Sequence, residues 1–246
     1  MSTAASTGRG WLVCLEGIDG AGKTTAAAAL GRRLRERGVS AVTVDRTAAN
    51  FSSAYVEGHL ARLRALIWDH PPGDPYLELG DLHWVHLQAA WYLAVGRCVV
   101  EPLLDAGTLV LTDTWTHKFL AKLALRPTVD FDRARSIFAD VLRPDLVIRL
   151  DIDPVVAAAR KPVITASEAG NHEGPVELTS AGFVAYQQRL AGVLDEFGDA
   201  AGWLTLDVTT LSVDQVAAAL ADMVLEPLAT AHASRAPHPV GERRAP

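Results

Sequence analysis

The 246-residue chain is 49% hydrophobic and carries a net charge of −6, which is enough apolar material for one sizeable core and leaves no basic excess for gripping double-stranded nucleic acid. No membrane-spanning apolar run and no cleavable leader pattern occurs, so a soluble, cytoplasmic protein with no membrane partner is expected. Cys14 and Cys98 lie far apart in apolar segments, a pattern of inert core thiols rather than of a metal or disulfide framework.

In chain order, a strand is expected at 11–17 (WLVCLEG), a helix at 24–38 (TTAAAALGRRLRERG), a strand at 39–45, and helices from about Val56 to Trp68 and from about Asp81 to Asp105. Next come a strand at 107–113, a helix at 132–142 (DRARSIFADVL), a strand at 144–153, helices at 155–161 and 183–198, a strand at 202–208 and a helix at 213–225. The strands are unbroken apolar runs, which indicates burial on both faces and therefore a parallel sheet between helix layers. The expected fold is a single α/β domain over 1–228, a three-layer sandwich on a five-stranded parallel sheet, with its ligand site at the carboxyl edge. The remainder, 229–246, is rich in Pro, Ala and Arg without periodicity and is expected to be mobile.

Gly17-Ile18-Asp19-Gly20-Ala21-Gly22-Lys23-Thr24 fits G-x-x-x-x-G-K-S/T between a strand and a helix, the context that makes the pattern a P-loop. Its glycines let successive N–H groups face one concavity, the helix N-terminus adds positive potential, and the Lys23 ammonium reaches the outer phosphates of a nucleoside triphosphate. The Thr24 hydroxyl suits Mg²⁺. Asp113 closes the strand LVLTD, where a carboxylate beside a P-loop helps organise the magnesium; the competing reading is a cap on the following helix.

These residues resemble the thymidylate kinase family of nucleoside monophosphate kinases. CLEGIDGAGKTT is similar to that family's P-loop, RPDLVIRLDIDPVVAAAR to its fourth strand and the start of its lid, and VVEPLLDAGTLVLTDTW to the segment leading to its Asp-Arg dipeptide. The resemblance covers roughly residues 10–210. It implies a P-loop NTPase fold with a lid at about 160–178, ATP on Gly17, Gly20, Ala21, Gly22, Lys23, Thr24 and Thr25, magnesium near Thr24 and Asp113, and an acceptor hydroxyl near Asp19. It further implies that Arg46 faces the acceptor phosphate, that Arg160 opens the lid over the transferring group, and that the protein is a homodimer. Lys23, Asp19, Asp113 and Arg160 are the catalytic candidates; for Arg46 and Arg160 the plain alternative is solvated surface charge.

The departures from the family pattern fall on the acceptor side. Thr114 stands where the family has the arginine of its Asp-Arg dipeptide, Trp91-Tyr92 where it shows a second Asp-Arg pair, and the lid carries Arg160 and Lys161 followed by acids. An arginine–phosphate bond contributes about 1.5–3 kcal/mol, so efficient use of dTMP is not expected unless other groups replace the lost contacts. Trp91, Tyr92, Thr114 and Trp115 are the candidates for a changed acceptor surface, with core packing the plainer reading for any one tryptophan except Trp115 at the site edge. His83 and His86 share a helix face, but with no third ligand placed they read as structural or solvent-facing. The functional expectation is an ATP- and Mg²⁺-dependent kinase acting on a nucleoside monophosphate or similar acceptor. Alternatives are a kinase for a hydroxyl of a nucleoside or other metabolite, and a nucleotide-dependent switch without transfer.

Overall fold

The computed structural model describes residues 8–46, 53–70, 76–171 and 178–235. Its centre is a five-stranded, all-parallel sheet in the order β2-β3-β1-β4-β5, formed by β1 (Leu12–Glu16), β2 (Ala41–Thr43), β3 (Leu109–Thr112), β4 (Leu146–Asp151) and β5 (Leu204–Asp207). The register aligns Cys14 with Thr112 on one side and with Val147 on the other. The carboxyl ends of β3 and β4 therefore flank that of β1, and the loops leaving these three strands share one edge.

Alternation along each strand sorts the apolar residues into two cores. Val13, Leu15, Leu109, Leu111, Ile148 and Leu150 face the layer containing α1 (Lys23–Glu36), with Ala26, Ala27, Leu30 and Leu34 buried against the sheet. The same core takes in Phe183, Leu190 and Leu194 of α8 (Ser180–Ala201) and Leu220 and Val224 of α9 (Val213–Arg235). Leu12, Cys14, Val110 and Val147 face the other layer. That layer is built from α2 (Ala54–Trp68), α3 (Asp81–Val95), α4 (Glu101–Asp105), α5 (Thr116–Ala124) and α6 (Phe131–Ile137). A short α7 (Pro154–Ala159) follows β4, capped by the Asp153 carboxylate accepting from Val155 N. This two-sided burial is why the strands read as unbroken apolar runs.

Four local outcomes differ from the expectations. The long helix from Asp81 passes through a π-helical segment at Gly96–Val100 before α4; Pro102, inside α4's first turn, has no N–H for an ordinary helical bond, and the ladder is loosened just ahead of it. The helix expected at 132–142 stops at Ile137. α5 was not expected at all. α9 runs on to Arg235, so the first residues of the expected mobile tail are helical, while 236–246 and lid residues 172–177 lie outside the described residues. Among the described residues no helix is long and apolar enough to cross a membrane.

The turn after β1 depends on glycine. Gly17 has φ 144°, and a Cβ there would lie 2.6 Å from the Leu150 carbonyl oxygen, closer than real Cβ atoms approach. Only a residue without a side chain lets β1 leave the sheet this tightly against β4.

Candidate functional site

The loops at the sheet's carboxyl edge enclose a cleft of about 1520 Å³. The P-loop forms its floor: Asp19 to Thr25 line it, while Gly17 lies beneath, its carbonyl accepting from Lys23 Nζ at 2.9 Å. Lys23 is the first residue of α1, and its ammonium also donates to the Ile18 carbonyl at 2.8 Å. Burial and the nearby Lys118 ammonium push its pKa down to about 7, against the pull of Asp19 and Glu16.

Thr24 Oγ1 donates to Asp113 Oδ2 at 2.5 Å. α5 is N-capped by Trp115 without a side-chain bond, so the helix-capping alternative for Asp113 has no contact behind it. A hydroxyl and a carboxylate side by side are hard oxygen donors of the kind Mg²⁺ takes, and this set fits that ion.

The acceptor side holds residues that sequence reasoning missed. Lys118 and Lys122, one turn apart on α5, both reach Asp19: Lys118 Nζ donates to Asp19 Oδ1, and Lys122 Nζ lies 3.8 Å from Oδ2. Gln187 of α8, fully buried, accepts from Asp19 N at 2.9 Å and donates to Asp19 Oδ2 at 3.2 Å. Burial alone would raise the Asp19 carboxyl, but the Lys118, Lys122 and Lys23 ammonium groups outweigh it and hold Asp19 far below the usual carboxylate range. Signals for these residues existed. Gln187 interrupts the buried stripe Phe183, Tyr186, Leu190, Leu194, and Lys118 and Lys122 are same-face cations just after a strand end.

Beneath the cleft lies Glu16, the last residue of β1 and fully buried. Its Oε1 accepts from Trp115 N at 3.1 Å and from His117 Nδ1 at 3.2 Å, and its Oε2 accepts from Thr114 Oγ1 at 3.3 Å. Burial would raise this carboxyl; the His117 hydrogen bond and charge, the Trp115 N–H and Lys23 outweigh it and hold it low. Cys14 Sγ donates to Glu16 at 3.5 Å, and burial followed by the Glu16 charge pushes the thiol up, as suits an inert cysteine. Cys98 is half-buried.

The remaining candidates divide. Arg46 lines the cleft with its guanidinium 5.5 Å from the centre of the Trp68 ring. Arg160 lines it too, donating to the Val208 and Thr209 carbonyls at 3.2 and 3.0 Å, while Lys161 pairs with Glu168 at 2.7 Å. Thr114 turns its hydroxyl down to Glu16. Trp115 is 2% exposed and donates its ring N–H to the Leu142 carbonyl; it is a core residue at the site edge, not a stacking platform. Tyr92 donates its hydroxyl to the Trp115 carbonyl at 2.9 Å, and Trp91 meets Trp68 edge-on at 5.1 Å. His83 and His86 are exposed. Trp84, Trp91 and Val95 of α3, and Val99 just beyond it, are buried within the protomer, so they carry no argument for a dimer.

Compared with models of known protein families, the chain matches none. It is 30% identical over 205 residues to a thymidylate kinase of Deinococcus radiodurans, covering 82% of this chain and 90% of that protein. Thymidylate kinases of Geobacter sulfurreducens and Trichlorobacter lovleyi are 28% and 27% identical, each over 88% of this chain and 97% and 98% of their own lengths.

Two outcomes are expected. Glu16→Leu leaves the buried Trp115 N–H without its acceptor and removes the His117 bond, and costs about 1–3 kcal/mol in urea unfolding, whereas Thr114→Val costs about 1 kcal/mol or less. For Lys23, polyphosphate returns the ammonium toward its ordinary pKa, so binding takes up a proton between about pH 7 and about pH 10. Affinity for a non-hydrolysable ATP analogue therefore falls as pH rises through that window. Calorimetry in buffers of unlike ionisation enthalpy should show uptake approaching about one proton near pH 8.5 and little below about pH 6.

Proposed function

Because the chain belongs to the thymidylate kinase family and is an ATP-dependent phosphotransferase of the nucleotide-kinase kind, we propose that it moves the γ-phosphoryl of ATP to a phosphorylated small acceptor. That acceptor is a nucleoside monophosphate or a molecule shaped like one, and dTMP is a poor substrate. The observation that carries this is the pair of ammonium groups on Asp19. They leave its carboxylate too weakly basic to take a proton from a hydroxyl, while a phosphate acceptor brings its own anionic nucleophile and needs no base. Seven Lys and Arg side chains line the cleft against four Asp and Glu, an excess of positive charge in a chain of net charge −6.

The residues divide the work accordingly. The P-loop N–H groups and Lys23 hold and neutralise the donor phosphates; Thr24 and Asp113 would hold Mg²⁺, which supplies further neutralisation when bound. Lys118 and Lys122 offer the acceptor phosphate an alternative partner to Asp19. They act as point charges and do not reproduce the two-pronged grip of an arginine at position 114, and Tyr92, its hydroxyl committed to Trp115, adds no cation. Alignment of the acceptor, which governs much of such a transfer, is therefore suited to a different ligand from dTMP. The described stretch 160–171, carrying Arg160, Lys161 and Glu168, is the part of the proposed lid that borders this site.

ADP release is expected with one or more monophosphates and not with the parent nucleosides; release with nucleosides alone would establish the hydroxyl reading instead. For dTMP, kcat/KM should lie at least about a hundredfold below an efficient kinase's roughly 10⁵ M⁻¹s⁻¹. Thr114→Arg should improve it, and efficient turnover by the unmutated protein would show that the lysines replace the arginine fully.

A homodimer is also proposed, closing over the exposed Leu66 of α2 and Leu82 and Leu93 of α3. Light scattering at micromolar protein is expected to give twice the chain mass, and Leu93→Glu the single-chain mass.

A further inference from the structure

Most of the cations that line the cleft are tied to the protein itself. Arg160 donates to the Val208 and Thr209 carbonyls, Lys161 pairs with Glu168, and Arg126 pairs with Asp81. Lys122 donates to the Ser167 carbonyl at 3.1 Å. Lys118 differs. Among the described residues its ammonium has one acceptor, Asp19 Oδ1, and an ammonium has three N–H groups to give. Asp19 can also release it, because Oδ2 keeps Gln187 at 3.2 Å and Lys122 at 3.8 Å.

The place of Lys118 joins the two halves of the cleft. It rises from α5 on the acceptor side, yet it bonds a P-loop side chain. Its ammonium lies near that of Lys23, whose pKa is depressed by burial and then by Lys118. Lys23 reaches the outer phosphates of the donor, so a cation beside it is within reach of the group in passage. The two ammonium groups repel each other in the ligand-free protein. An anion of greater charge between them relieves that repulsion, and charges set in place beforehand need no reorganisation during the reaction.

We infer that Lys118 is a catalytic residue: its ammonium leaves Asp19 and binds an equatorial oxygen of the γ-phosphoryl group during transfer, a second cation beside Lys23. This rests on the kinase reading above and adds the residue that meets the moving charge. In that step an acceptor phosphate oxygen gives an electron pair to the γ-phosphorus. The bond from that phosphorus to the β,γ-bridging oxygen breaks, and its electrons stay with ADP. No proton has to move when the acceptor phosphate is fully ionised. The charge spread over the three equatorial oxygens is what an adjacent ammonium stabilises. Lys118 thus shares its N–H groups between the acceptor phosphate and the group in passage, and Lys122 serves the acceptor alone.

The test compares the full chain with its Lys118→Met and Lys118→Arg variants. ADP release is followed with dTMP, dUMP, dCMP, dAMP and dGMP, and calorimetry measures affinity for a non-hydrolysable ATP analogue and for ADP with aluminium fluoride, a mimic of the group in passage. Lys118→Met should lower kcat by about a hundred- to a thousandfold. It should weaken the fluoride complex at least about tenfold more than the ATP analogue. Lys118→Arg, which keeps the charge, should recover at least about tenfold of the lost rate. A raised KM with unchanged kcat would overturn the proposal, as would equal weakening of the two complexes or an Arg variant no faster than the Met one. So would a fall in melting temperature large enough to account for the lost rate. Failure of the kinase reading shows itself separately, as binding of the ATP analogue with no ADP release on any of these monophosphates; the fluoride comparison, made without acceptor, then still decides for Lys118.

Discussion

A charge at the centre of the molecule has to be answered before the site can exist. Glu16 ends β1 with no exposed surface, and an unanswered carboxylate there would cost several kcal/mol. Beside the Cys14 thiol, its partners come from the turn that follows β3 and the first turn of α5: the Trp115 N–H, the Thr114 hydroxyl and the His117 ring. Meeting that demand fixes the path of the chain from Asp113 into α5. The turn is anchored from the helical layer as well, because Tyr92 of α3 donates to the Trp115 carbonyl and Trp115 donates to Leu142.

Much of the cleft follows from this joint. Once α5 starts in the direction that Glu16 dictates, Lys118 and Lys122, one helical turn apart, both reach Asp19 on the P-loop. α3, held at the same turn through Tyr92, lines the cleft with Trp84 and Trp91. Donor machinery and acceptor wall are thus attached to one buried acid, and the reach of the two lysines is set by packing beneath the cleft rather than by the loops at its mouth.

The charge pattern of the cleft has a second consequence. Asp19 sits between Lys118, Lys122 and Gln187, so its charge is already spent within the protein. An incoming phosphate competes with it for the lysines, and a lysine can turn from one partner to the other because its ammonium has no fixed fork to realign. The arginine missing at position 114 is consistent with the same geometry: directly below that position lies Glu16, already hydrogen-bonded to Trp115 and His117, and the small threonine hydroxyl completes the set.

The sequence by itself determined the sheet and the phosphate floor. Continuous apolar strands, glycines at set offsets, and a lysine and threonine opening a helix are local patterns, and local backbone sterics and hydrogen bonding suffice to produce them, from WLVCLEG through Lys23 and Thr24. Even the placement of Asp113 beside the P-loop could be read, because strand adjacency in a parallel sheet constrains it. The acceptor side could not. α5 is nine residues long with threonine, histidine and lysines among its apolar positions, so its pattern is too short to stand out until Glu16 gives its first turn a partner. Trp115 looked like a ring at the site edge, yet its ring N–H satisfies Leu142, and the tryptophans of α3, read most plainly as core packing, line the cleft as well. Gln187 is a single polar residue in an apolar stripe, whose meaning depends on what faces it across space. Its pairing with Asp19 joins residues 168 positions apart, and only tertiary packing brings such groups to hydrogen-bond distance and excludes the water that would otherwise satisfy them.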